Sequence, residues 1–233
     1  MKESLNKLVS LVFRSLGWRE AEEVFEKIQI TLTLLMQLAF IVSFVYALYE
    51  GLWTVAFVSI LAMISIWFPI TFIKRRRIHI PVRFEFLLTL FVYASLFLGE
   101  IQGFYTKFWW WDIVLHTGSG MALGFIGFLI IYSLYKHGPL ESNPGLLALF
   151  SFAFALSLGA LWEVFEFSID YFFDLGMQIS LVDTMWDLIV DAAGAFITAI
   201  SGYFYVKYNK RGAGIFRYYL IKYLEKNLNK KEV

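Results

Sequence analysis

The chain has 233 residues, of which 59% are apolar and 20% aromatic, whereas only 17% carry charge. Soluble domains carry roughly 25% charged residues, so this composition excludes an ordinary soluble globular protein. The chain contains no cysteine, which also excludes disulfides, thiolate metal sites and cysteine nucleophiles.

Apolar runs of the length of a membrane-spanning helix recur along the chain. Each holds about 20 residues, enough to cross roughly 30 Å of hydrocarbon as an α-helix. We therefore predict an all-α, polytopic membrane protein with a six-helix transmembrane domain over 29–206. Its predicted spans are 29–49, 53–73, 84–104, 112–134, 146–169 and 184–206.

The segments on either side of the predicted domain are basic and amphipathic. Residues 1–28 include SLNKLVSLVFRSL at 4–16, which places leucine and valine at helical spacing, and the tail at 207–233 has the same pattern. Basic amphipathic helices beside a membrane lie on its anionic cytoplasmic face. We expect membrane lipids as the partners of both segments, with docking of another protein as the alternative.

The positive charges fix the predicted orientation. In the six-span arrangement every Lys and Arg except Lys107 falls on one side of the membrane. By the positive-inside rule that side is the cytoplasm, so both termini are predicted to be cytoplasmic in a multi-pass protein of the cell (plasma) membrane. Because the basic residues are spread over the membrane flanks rather than gathered in one patch, no nucleic-acid partner is expected.

Ionisable side chains gather at the outer ends of the last four predicted spans. Their place follows from the orientation, since the third and fifth spans run outward and the fourth and sixth run inward. They are Glu100 on the third span, Asp112 and His116 on the fourth, Glu163, Glu166 and Asp170 on the fifth, and Asp183, Asp187 and Asp191 on the sixth.

Within each of the last three spans these residues recur every three or four positions, so they form one polar face. Farther into the span the face continues in small residues, which let helix backbones approach closely in lipid. The small faces are predicted to bring the three helices together and the acidic faces to meet in a shared cavity. The three faces are Asp112, His116, Gly120 and Gly124; Gly159, Glu163, Glu166 and Asp170; and Asp183, Asp187, Asp191, Gly194 and Thr198.

Several carboxylates in one cavity within a membrane repel one another unless something neutralises or hydrates them. A divalent metal would neutralise them, and carboxylate oxygens with one imidazole suit Mg²⁺, Mn²⁺ or Zn²⁺. Protonation and hydration in a wet vestibule are the alternatives, and Asp183 also fits a helix cap. The predicted metal ligands are Asp112, His116, Glu163, Glu166, Asp170, Asp187 and Asp191, and the predicted catalytic residues are His116, Glu163 and Glu166.

Three stretches of the chain resemble the YjdF-type family of bacterial and archaeal membrane proteins, which is distantly similar to VanZ-like proteins. They read WWWDIVLHTGSGMALGF, LWEVFEFSID and DTMWDLIVDAAGA. The resemblance covers residues 108–205, the last three predicted spans, and the VanZ-like relationship implies a role at the cell envelope. The residues that fit the family pattern are Asp112, His116, Glu163, Glu166, Asp183, Asp187, Asp191 and Gly194.

Three functions from different classes fit these features. The first is a metal-dependent membrane hydrolase or transferase that acts at the outer leaflet on a lipid or cell-envelope substrate, with a carboxylate or His116 as base. The second is a cation- or proton-coupled transporter, although the acids crowd one end of the bundle. The third is a non-catalytic binding or assembly protein of the envelope. We favour the metal site, and neither the ligand nor the oligomeric state follows from the sequence.

Overall fold

The computed structural model describes residues 18–75, 82–137 and 143–208, and the regular elements within these ranges are all helical. The all-α prediction is therefore confirmed. The elements are α1 (Trp18–Glu50), α2 (Trp53–Arg75), α3 (Val82–Val92), a π-helical stretch (Tyr93–Ile101), α4 (Phe104–Lys107), α5 (Trp111–His137), α6 (Pro144–Phe173) and α7 (Leu181–Tyr208).

Six helical segments of the described ranges are long and apolar enough to cross a membrane, which confirms the six predicted spans. The third was predicted to reach residue 104 but ends at Ile101, because a turn follows in which Gly103 has a φ of 69°. The six segments are Glu23–Glu50, Trp53–Ile73, Val82–Ile101, Trp111–Leu134, Pro144–Phe173 and Leu181–Tyr208.

The predicted boundary between 1–28 and the transmembrane domain lies inside a helix. Helix α1 begins at Trp18 and runs without interruption to Glu50, so its first turns belong to the segment predicted to precede the membrane. The amphipathic stretch at 4–16 and the tail beyond Tyr208 lie outside the described residues. Both amphipathic helices therefore stay predictions.

The chain divides into two compact units between Ile101 and Gln102. In the first unit, α1, α2, α3 and the π-helical stretch contact one another around Phe40, whose side chain is fully buried. The Phe40 ring lies edge-on to Tyr93 and Phe97, with centroid distances of 6.0 and 5.8 Å. Two aromatic side chains of the π-helical stretch thus complete this core.

The second unit is built on three mutually packed helices, α5, α6 and α7. Helices α5 and α7 touch backbone to backbone, since a methyl group on Gly120 would overlap the Asp191 carbonyl and one on Gly194 would overlap the Thr117 carbonyl. Only glycine permits this approach. The prediction that small residues bring these helices together is confirmed at both positions.

The second unit has two regions of different chemical character. The acidic end comprises the start of α5, the end of α6, the start of α7 and the connecting residues 174–180. The apolar half comprises the remainder of the three helices, where Phe128, Ile131 and Leu147 form a buried core. There the Ser151 hydroxyl donates to the Gly124 carbonyl at 2.6 Å, and the Thr198 hydroxyl donates to the Met121 carbonyl at 3.1 Å.

Candidate metal site

Helix starts position the acids of α5 and α7. Helix α5 begins at Trp111, so Asp112 lies in its first turn and His116 in its second. Helix α7 is capped by Ser180, whose hydroxyl accepts the Asp183 N–H at 3.2 Å and whose carbonyl accepts the Thr184 N–H at 3.1 Å. The expectation that Asp183 caps this helix is wrong, because Ser180 fills that position.

The imidazole of His116 lies between carboxylates of both helices. Its Nε2 atom is 3.5 Å from Asp112 Oδ1 and 3.8 Å from Asp187 Oδ1. Its Nδ1 atom, on the other edge of the ring, is 3.4 Å from Asp191 Oδ2. The i+4 spacing on each helix thus brings four predicted site residues together around one ring.

Three of these residues form a candidate metal-binding group. One ligand atom each from Asp112, His116 and Asp187 lies within 4.8 Å of the other two. Ligand atoms about 2.1 Å from one ion lie roughly 3.0–3.4 Å apart in tetrahedral or octahedral geometry. The distances from Nε2 to the Asp112 and Asp187 oxygens are therefore a few tenths of an ångström longer than the distances between ligand atoms that share one ion.

Asp191 stands on the opposite edge of the imidazole and is 3% exposed. Its Oδ1 atom accepts a hydrogen bond from the Ser119 hydroxyl at 3.0 Å. Its Oδ2 atom lies over Gly159, where a methyl group would overlap it. Asp191 was predicted as a metal ligand, but the structure places it behind His116 and outside the group at Nε2.

Glu163 is buried, at 4% exposure, and neither of its carboxylate oxygens accepts a hydrogen bond from the described part of the chain. His116, Asp191 and Asp112 are close enough to act on its charge. Thr184 presents a hydroxyl to it without a hydrogen bond of standard geometry. Burial of an unpaired carboxylate is costly, so packing within the described residues does not account for Glu163.

Asp170 has a structural role that the sequence did not indicate. Its two oxygens accept the backbone N–H groups of Met177 at 2.7 Å and Gln178 at 2.6 Å. These bonds tie the connecting residues 174–180 to the end of α6, and the Gln178 side chain extends the tie to the Thr184 hydroxyl at 3.0 Å. Because both oxygens are engaged, we leave Asp170 out of the candidate metal ligands.

The remaining predicted residues lie outside the three-residue group. Glu166 is half-buried and lies one turn of α6 beyond Glu163, toward the acidic end. Asp183 is half-buried and close enough to act on the charges of Asp112 and His116. Glu100 lies in the last turn of the π-helical stretch, which belongs to the first unit, so its membership of the cluster stays a prediction.

Four polar residues of the site went unrecognised in the sequence. Ser119 follows His116 by three positions and therefore shares its face, so helical spacing could have found it. Ser180 precedes an apolar run as helix-capping residues do. No sequence signal marks Gln178 or Thr184, whose contacts depend on the path of residues 174–180.

Comparisons with known proteins place this chain in a family. The model of the family described as "Predicted membrane protein (DUF2238)" matches residues 28–208. A protein of Thermotoga maritima that bears the name "Uncharacterized protein" is 30% identical over 132 residues, which make up 56% of this chain and 67% of that protein. No solved structure matches the chain significantly.

The matched family bears on the resemblance found in the sequence. The YjdF-type family is the DUF2238 family, so this part of the resemblance is confirmed. The comparisons do not show the VanZ-like relationship, which stays a prediction. The match also extends from residue 28 to residue 208, well beyond the last three spans that carried the resemblance.

Proposed function

Since the chain belongs to the DUF2238 family of predicted membrane proteins, we propose that it is a multi-pass plasma-membrane protein whose last three helices hold a divalent metal ion. The ligands in this proposal are Asp112, Nε2 of His116, and Asp187. The group of three ligand atoms within 4.8 Å of one another carries the proposal. Imidazole suits Zn²⁺ and carboxylate suits Mn²⁺, whereas Mg²⁺ prefers oxygen and water, so Zn²⁺ or Mn²⁺ is the expected ion.

The charges of the acidic end support a bound cation. Apart from His116, the basic side chains that the structure describes in this unit are those of Lys107 and Lys207. Lys107 donates to the Gln102 carbonyl at 2.6 Å, and Lys207 lies at the other end of α7 beside Tyr203. Neither is paired with the carboxylates around His116 in the described residues, and carboxylates within a bilayer are costly unless neutralised. A dication lowers that cost.

Glu163 supplies a base in this proposal. Its oxygens are buried, they have no hydrogen-bond partner among the described residues, and they lie close to His116. A divalent ion held by Asp112, His116 and Asp187 would make a bound water easier to deprotonate, and Glu163 would be the buried carboxylate available as general base. This arrangement supports a hydrolase or transferase, and the predicted VanZ-like relationship favours a lipid or cell-envelope substrate.

The position of the site in the membrane follows from the charge distribution. With both termini cytoplasmic, as the positive-inside rule indicates, the acidic end lies at the outer leaflet. Leu161, Val182 and Trp186 near this end are 61%, 67% and 60% exposed, so they present apolar surface to lipid. A lipid substrate could therefore approach the site from the outer leaflet.

A second candidate, cation- or proton-coupled transport, is favoured by the buried and unpaired carboxylate of Glu163. Transport also needs polar groups that continue through the membrane. In the apolar half, however, the hydroxyls of Ser151, Thr198 and Ser201 already donate to backbone carbonyls. These bonds leave the metal site as the better-supported function.

Calorimetric titration of Zn²⁺ and of Mn²⁺ into chelator-treated protein tests the proposal. The parent is expected to bind one ion per chain, and Asp112→Asn, His116→Ala and Asp187→Asn each to weaken binding at least tenfold, because each removes one ligand. Asp174→Asn is the matched control, since Asp174 is exposed in the connecting residues and Asn accepts its φ of 52°. Equal binding by parent and ligand variants would contradict the proposal.

A further inference from the structure

We infer that Asp191 is a positioning residue that holds the imidazole of His116 so that Nε2, rather than Nδ1, binds the metal ion. The inference rests on the proposed function. The two ring nitrogens face different partners: Nε2 faces Asp112 and Asp187, and Nδ1 is 3.4 Å from Asp191 Oδ2. Nδ1 is buried and makes no hydrogen bond of standard geometry, so Asp191 is the acceptor available to its N–H.

Asp191 is itself held in place from several sides. Its Oδ1 atom accepts from the Ser119 hydroxyl at 3.0 Å, and the same hydroxyl lies 2.8 Å from the His116 carbonyl. A hydroxyl has one hydrogen, so it is shared between the two acceptors. Glycine at 159 leaves room for Oδ2, and glycine at 120 lets α5 lie against the Asp191 backbone.

The Asp191 carboxylate, held in this position, selects the tautomer of His116. A carboxylate beside Nδ1 favours the proton on that nitrogen and leaves the lone pair on Nε2, directed toward Asp112 and Asp187. The opposite arrangement would place a metal ion at Nδ1, between the imidazole and Asp191. That edge is occupied by Asp191, whose Oδ2 lies over Gly159, whereas Asp112 and Asp187 both lie within 3.8 Å of Nε2.

The inference gives the glycine at 159 a function. A methyl group there would overlap the end of the Asp191 side chain rather than backbone. The carboxylate must then move away from this position, and it no longer faces Nδ1. Gly159→Ala is therefore expected to disturb metal binding while the three helices stay assembled.

Nitrogen NMR of the imidazole tests the inference directly. In zinc-loaded full-length protein with His79→Gln and His137→Gln, His116 is the remaining histidine. We expect a zinc-bound Nε2 and a protonated Nδ1. A zinc-bound Nδ1 would overturn the inference and leave the proposed metal site intact, whereas a chain that binds no zinc would overturn both.

A second test measures the zinc affinity of variants. Loss of a carboxylate that orients a ligating histidine weakens metal binding about 10- to 100-fold, so Asp191→Asn and Gly159→Ala should both fall in this range. Gly118→Ala is the control, because a methyl group at Gly118 meets no atom within 4 Å. Parent-like zinc affinity in folded Gly159→Ala and Asp191→Asn would overturn the inference. If Asp191→Asn fails to fold, the Gly159→Ala result decides alone.

Discussion

The apolar half and the acidic end of the second unit are built from the same three helices but treat buried polar groups differently. In the apolar half, Ser151 and Thr198 each donate to a carbonyl of the neighbouring helix. At the acidic end, Nδ1 of His116 and both oxygens of Glu163 are buried without a hydrogen-bond partner among the described residues. The hydroxyls of the apolar half are satisfied, whereas these three buried atoms of the acidic end are not.

This difference separates packing from function along one helix bundle. Buried polar groups in proteins are nearly always paired, and an unpaired group calls for an explanation such as a missing ion or a catalytic role. The glycine contacts occur in both regions, since Gly120 and Gly194 lie near the acidic end and Gly202 lies against Phe128 in the apolar half. Close packing therefore does not explain the open oxygens of Glu163, and the proposed cation beside them would.

The largest expected effect is all-or-none and concerns which region faces outward. The chain has no cysteine, so single cysteines can be introduced at Ile179, in the connecting residues, and at Tyr208, at the other end of α7. Both positions are well exposed, at 65% and 71%. An impermeant thiol reagent added to intact cells should label Ile179→Cys and spare Tyr208→Cys. The reverse pattern would place the acidic end in the cytoplasm.

The next largest effect concerns the backbone contact between α5 and α7 at Gly194. Gly194→Leu should destabilise the second unit by about 3 kcal/mol, since overpacking at a backbone contact forces the helices apart. Gly118→Leu is the matched control on α5, where no atom lies within 4 Å of the added carbon. Thermal unfolding in detergent measures both variants. Equal melting of Gly194→Leu and the parent would contradict the contact with Thr117.

A smaller effect distinguishes a structural acid from the site acids. Asp170→Asn should lower stability by about 1–3 kcal/mol, because a carboxylate that accepts two backbone N–H groups becomes an amide with one acceptor oxygen. Zinc affinity should stay within twofold of the parent, since Asp170 is not a ligand. Asp174→Asn serves as the control for unfolding. A large loss of zinc affinity in Asp170→Asn would return Asp170 to the metal site.

The smallest effect measures the satisfied polar groups of the apolar half. Ser151→Ala should cost about 0.6 kcal/mol, the typical contribution of a hydrogen bond between helices in a membrane. Ser168→Ala on the same helix is the control, because Ser168 donates only to the Val164 carbonyl within α6.

Glu163→Gln, by contrast, should cost no stability in the metal-free protein, since it removes a buried charge. A loss at Glu163 equal to that at Ser151 would remove the contrast between the regions.

Much of this arrangement could be predicted from the sequence because it depends on the length of the apolar runs and on the helical spacing of polar and small residues. Apolar runs of the length of a span located all six helices, and i+4 spacing placed Asp112, His116, Asp187 and Asp191 on facing stripes. The small-residue faces predicted the contacts of Gly120 and Gly194 for the same reason.

What the sequence did not reveal depends on contacts between distant segments. Asp170 looked like one more member of an acidic stripe, yet its oxygens are taken by the backbone of a turn that follows seven and eight residues later. Asp191 looked equivalent to Asp187, but it lies one turn farther along α7 and meets the other nitrogen of His116. Periodicity assigns a residue to a face and carries no information on which atom of a neighbour it meets.

The central claim, a divalent ion at Asp112, His116 and Asp187, is tested most directly by thermal unfolding with and without metal. An ion that binds only the folded state adds RT ln(1 + [L]/Kd), about 2.7 kcal/mol at a hundredfold excess over Kd. Zinc should therefore raise the melting temperature of the chelator-treated parent and leave Asp187→Asn nearly unchanged. A parent that is indifferent to zinc, manganese and chelator, with an Asp187→Asn variant that melts higher, would contradict the account.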